Sequence, residues 1–157
     1  MIGAGWRSFA ALCLTCCFTG GVSAARACDA EMLELVDLRS AAVLAEFQGP
    51  EFALSWRHSV TLTTVRADYR LLAGRGIVQT AERFAAHGPG MAHDGTGWRI
   101  EDGQMVLDLD RDIDRLILRT APDHENRLST DTAEIDLTQW PATPLEIRAA
   151  ECKESDG

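Results

Sequence analysis

His58 has the clearest capacity for chemistry in this sequence, because of where its neighbours put it. Phe52, Leu54, Trp56, His58 and Val60 alternate with Glu51, Ala53, Ser55, Arg57, Ser59 and Thr61. Strand periodicity therefore places the imidazole on the apolar face, where a polar ring needs a hydrogen-bonding partner. Nucleophilic catalysis fits poorly. Ser59 follows His58 directly, so in an extended strand the two side chains point to opposite faces and cannot pair as nucleophile and base. The Gly-x-Ser-x-Gly elbow is also missing, and a hydrolase using His58 with a distant serine is the weakest of the functional classes. A sharper rival is metal binding. His87, Met91 and His93 bracket the turn Gly88-Pro89-Gly90-Met91, and two imidazoles with a thioether would suit copper, or zinc on the imidazoles. Against it, the trio sits in a loop and lacks a fourth ligand. The acids Asp108, Asp110, Asp112 and Asp114 have calcium-loop spacing but no turn glycine, and Arg119 stands where a bidentate glutamate belongs. A solvated strand edge explains them better.

The elements that must position these groups read as short strands punctuated by Gly, Pro and Asp. Strands are expected over 32–37, 42–47, 52–61, 65–72, 77–85, 97–101, 105–110, 116–119, 133–137 and 145–149. Arg66, Asp68 and Arg70 alternate with Val65, Ala67, Tyr69 and Leu71, the pattern of an antiparallel strand with one wet face. Ala73-Gly74-Arg75-Gly76 supplies a hairpin turn. A helix over 78–86 is the main competing assignment, since Gln79, Ala81, Glu82 and Arg83 tolerate helix. The fold class is all-β, an antiparallel sandwich or small barrel of about eight to ten short strands.

The amino terminus reads as a cleaved export signal over 1–27, with Arg7, an apolar stretch from Phe9 to Phe18 and small residues up to Ala27. That apolar stretch is shorter than the roughly 20 residues of a spanning helix. The mature chain, 28–157, is one β domain with no span of its own and a periplasmic destination. Lipid anchoring at Cys28 competes with this reading, but Ala25 and Arg26 fit a lipidation signal badly. Cleavage removes Cys13, Cys16 and Cys17 and leaves Cys28 and Cys152, best read in an oxidising compartment as one disulfide tying the ends together. Loss of Arg7 and Arg26 takes the 15 cations to 13 against 24 acidic residues, so the net charge moves from −9 to −11. Nucleic acid and anionic membrane surfaces are thereby disfavoured as partners. Nothing in the composition calls for a cofactor.

Trp56-Arg57-His58-Ser59-Val60, Val65-Arg66-Ala67-Asp68-Tyr69, Arg83-Phe84 and Gly88-Pro89-Gly90-Met91, in that order, resemble the bacterial domain of unknown function 1850 family. The resemblance covers roughly Phe52 to Met91 and departs from the family at Thr64 to Ala67, where relatives tend to carry a proline and a glutamate. It implies context more than chemistry: small exported proteins that accompany TRAP-type permeases, particularly those served by TAXI-class solute-binding proteins. It also marks ligand-binding candidates, namely His58, Ser59, Asp68, Tyr69, Gly88, Gly90 and Met91. In that arrangement His58 would donate to Asp68, and the amides around Gly88 and Gly90 would receive an anion, giving a pocket for a small carboxylate solute. Residue by residue a plainer reading competes, in which His58 is a satisfied core histidine and the glycines only permit a turn. The expected function is an accessory or binding module of solute uptake, with a transporter permease or its solute-binding protein as partner.

Overall fold

The computed structural model describes residues 32–95 and 97–150. The expected export signal and both cysteines of the expected disulfide lie outside the described residues.

The described residues form eleven strands: β1 (Met32–Asp37), β2 (Ala42–Gln48), β3 (Glu51–Arg57), β4 (Thr64–Leu72), β5 (Gly76–Phe84), β6 (Gly97–Glu101), β7 (Gln104–Ile113), β8 (Leu116–Arg119), β9 (Arg127–Ser129), β10 (Glu134–Asp136) and β11 (Pro144–Ala149). Two single 3₁₀ turns, Pro122–His124 and Leu137–Gln139, connect the later ones. Every pairing is antiparallel. The strands make a four-stranded sheet in the order β2-β1-β11-β8 and a seven-stranded sheet in the order β10-β9-β3-β4-β5-β7-β6. Both sheets are open, so the architecture is a sandwich and not a barrel.

The alternation of β4 produces the expected two faces: Val65, Ala67, Tyr69 and Leu71 are buried, while Arg66, Asp68 and Arg70 look outward. Leu33, Leu35, Leu145 and Ile147 of the smaller sheet pack on Phe52, Leu54, Tyr69, Leu71 and Leu128 of the larger. This is the main core, and each fully buried aliphatic contributes about 1.5–3 kcal/mol.

The smaller sheet covers only part of the larger one. Val65 and Phe84 are instead covered by Met91, and Leu107 and Leu109 by Ala92, both from the loop after β5; neither cluster contains a residue of the smaller sheet. That loop is a lid over the remaining inner face. Gly95 lets it descend, since a β-carbon there would meet Leu107 Cδ1 at 2.1 Å and the Asp108 carbonyl oxygen at 2.5 Å.

Two expectations need correction. The strand expected over 52–61 ends at Arg57, and residues 58–62 form a tight reversal closed by Leu62 N–H to the His58 carbonyl (2.9 Å) and His58 N–H to the Thr63 carbonyl (2.9 Å). Val60, placed inward by the strand pattern, is 66% exposed. The competing helix over 78–86 does not form, because β4 and β7 supply hydrogen-bonding edges on both sides of β5, and pairing overrides local propensity.

Candidate functional site

The residues singled out by sequence divide between two places on opposite faces of the larger sheet. The first is the lid. His58 is buried at the start of the 58–62 reversal, and its Nδ1 accepts from Val60 N–H (3.3 Å) and Thr61 N–H (3.2 Å). With Nδ1 accepting, the proton sits on Nε2, which donates to the Pro89 carbonyl at 3.1 Å. The ring thus does for its turn what Asn or Ser does in side-chain-capped turns, and it also clips the lid to the turn. Asp68 is not its partner.

Gly88-Pro89-Gly90-Met91 is a β-turn closed by Met91 N–H to the Gly88 carbonyl (3.3 Å), with Gly90 at φ +83°. Proline before a positive-φ glycine is the type II arrangement. The Gly88 amide donates to Met91 Sδ (3.1 Å), which leaves it turned toward the lid's own sulfur and not toward an anion. Glu82, missed by sequence reasoning, is buried on the inner face; its Oε1 accepts from Ala92 N–H and its Oε2 from Gln79 Nε2, both at 3.2 Å. Arg111 donates to Gln79 Oε1 (3.4 Å) and pairs with Asp94 farther along the loop.

These contacts give the expected metal trio other employment. Met91 is buried with Val65 and Phe84, His87 packs on Phe84 and Trp98 with its Nε2 at 3.3 Å from the Ala92 carbonyl, and His93 is exposed. Among the described residues no group of three or more His, Cys, Asp or Glu converges as a metal site. Ser59 is exposed on the reversal. Tyr69 is stacked on Phe52, with ring centroids 5.1 Å apart and planes at 12°. Burial, then the nearby charge of Glu82, pushes its phenol well above the usual range.

The second place is the outer face. Asp68 accepts from Arg66 Nε through Oδ1 (2.8 Å) and from Arg83 Nε through Oδ2 (2.9 Å). Register puts Ala53, Asp68, Ala81 and Asp108 in one cross-strand row and Arg66, Arg83, Val106 and Arg99 in the next. Because two residues in the first row are alanines, the face is hollowed into an open trough of about 640 Å³. Its charged lining is four guanidiniums, Arg66, Arg70, Arg83 and Arg99, and four carboxylates, Glu51, Asp68, Asp108 and Asp131. Arg83 also reaches Glu101 (2.7 Å), Arg99 pairs with Glu101 (2.6 Å) and Asp108, and Arg70 pairs with Glu51. Asp110 and Asp112, read above as strand-edge acids, hold Arg75 at 2.9 and 2.6 Å.

A family model described as a domain of unknown function matches residues 52–137, more than half of the chain. The chain belongs to the DUF1850 family. The match runs from the start of β3 to Leu137, so it takes in the lid, the His58 clip and the trough, while β1, β2 and β11 lie outside it. No curated protein and no solved structure matches this DUF1850 chain.

Proposed function

We propose that this DUF1850 domain is an exported binding module, accessory to solute uptake across the inner membrane, whose recognition surface is the outer trough. The observation that carries the reading is the pair of guanidiniums set by one carboxylate. Arg66 engages Asp68 through Nε, its side chain is 49% exposed, and it lines the trough. A planar guanidinium held this way is prepared for two parallel hydrogen bonds to a solute carboxylate. Four arginines balanced by four acids favour a solute that also carries a cationic group over a bare anion. The link to uptake comes from the family resemblance, and the partner is a permease or its solute-binding protein.

A bridged, exported domain is supported by the way the ends of the described residues meet. The Ala150 amide donates to the Met32 carbonyl at 2.9 Å, beside the β1–β11 pairing. Cys28 and Cys152 stand just outside these paired residues, which supports a bridge between them.

Calorimetric titration of the mature domain with acetate, succinate and glutamate tests the recognition surface. Glutamate should bind most tightly, and Arg66→Ala should abolish its heat. No heat from any of the three at millimolar concentration removes the trough as a solute site.

A further inference from the structure

We propose that β6 pairs with β6 of a second copy of this chain, continuing the seven-stranded sheet across a two-fold axis at Ile100. β6 is an edge of the larger sheet, and its two large apolar side chains are both exposed, Ile100 at 76% and Trp98 at 51%. The opposite edge, β10, is three residues long against five in β6, and very short edge strands resist strand addition.

The hairpin fixes which main-chain groups point outward. β6 and β7 are joined through Asp102 and Gly103, both at positive φ (49° and 79°), a two-residue turn of the primed type. In such a hairpin the flanking pair, Glu101 and Gln104, exchanges hydrogen bonds, and the pattern then alternates along the strand. Gly97, Arg99 and Glu101 therefore turn their N–H and C=O groups toward β7, while those of Trp98 and Ile100 point off the sheet edge.

Side-chain charge then selects one register. With Ile100 opposite its own copy, Arg99 faces Glu101 of the second copy and Glu101 faces Arg99, two complementary pairs on the outer face. A shift that centres the axis on Arg99 instead sets two guanidiniums directly opposite, which is destabilising. In the favoured register the Ile100 residues exchange both main-chain hydrogen bonds and meet side by side on the inner face. The junction is isologous and closed, as a two-fold interface must be. It shares Arg99 with the rim of the trough, and its main-chain pairing is made at Ile100, outside the trough lining.

Sedimentation velocity on the mature domain, with hydrogen exchange followed at single amides, tests this. The expected result is a monomer–dimer equilibrium in which the Ile100 amide becomes protected as concentration rises. Ile100→Pro removes that amide at a position that donates nothing to β7, so the variant should keep its circular dichroism and melting profile and lose the dimer. A protein monomeric at every concentration, or a dimer whose Ile100 amide exchanges freely, overturns the proposal. The exchange readout needs no variant and decides the matter even if Ile100→Pro fails to fold.

Discussion

A β-carbon on Gly88 would stand 2.8 Å from His58 Cε1 and 3.1 Å from Thr61 Cγ2, closer than the turn and the lid can approach without moving. Gly88 does not need its glycine for backbone freedom. It needs it for space, because the Pro89 carbonyl must come within reach of His58 Nε2. Gly88→Ala should therefore overpack the contact and cost about 1–3 kcal/mol in urea unfolding. Gly90→Ala should cost about 1–2 kcal/mol for a different reason, positive φ with open space around it. A Gly88→Ala protein as stable as its parent would show that the ring is not seated against the lid.

His58→Phe keeps an aromatic ring, somewhat larger, and removes every polar contact of the imidazole. The Val60 and Thr61 amides and the Pro89 carbonyl then lose their partner in a partly buried setting. Each such orphan costs about 1–3 kcal/mol when water cannot replace the ring. The expected signature is a destabilised domain with faster hydrogen exchange at Val60, Thr61 and Met91. Unchanged exchange at these amides would count against the clip.

Tyr69 is the chain's single tyrosine, so tyrosinate absorbance near 295 nm reports on it alone. Burial, and then the charge of Glu82, raises its folded-state pKa above the unfolded value. A raised group favours the protonated native state, so its contribution is fully present below about pH 10, the unfolded phenol's value, and is lost as pH climbs toward the folded one. Ionisation should accordingly be absent at pH 10 and should appear together with alkaline unfolding followed by circular dichroism. A tyrosinate signal titrating near pH 10 in the folded protein would contradict the burial.

How much of this was legible in the sequence depends on whether period or pairing decides each residue. β4 was legible because strict alternation of Val65, Ala67, Tyr69 and Leu71 with charged residues survives folding unchanged. Glu82 was not. A register shift between Gln79 and Ala81 exchanges the faces of β5 partway along, so a uniform period of two assigns it to the solvent side. The end of β3 was hidden for a related reason: the 58–62 reversal contains no Gly, Pro, Asn or Asp, and the imidazole provides the capping those residues usually supply. β9 offers one apolar residue, Leu128, too little for any pattern. His58 and Asp68 belong to successive motifs in the chain but lie on opposite faces. Separating a lid clip from an outer trough required the sheet register.

The proposed Cys28–Cys152 bridge has a quantitative consequence. It would close nearly the whole mature chain into one loop, and in the chain-entropy model such closure is worth about 4–5 kcal/mol through the unfolded state. The described ends already lie together through Ala150 and Met32, so closure should require little rearrangement. Protein recovered from the periplasm should therefore show no titratable thiol until reduced, and reduction should lower the urea midpoint while leaving native circular dichroism intact. Two free thiols in unreduced protein would reject the bridge. A bridge whose reduction leaves the midpoint unmoved would instead mean that the β1–β11 pairing persists in the unfolded chain and already supplies the constraint.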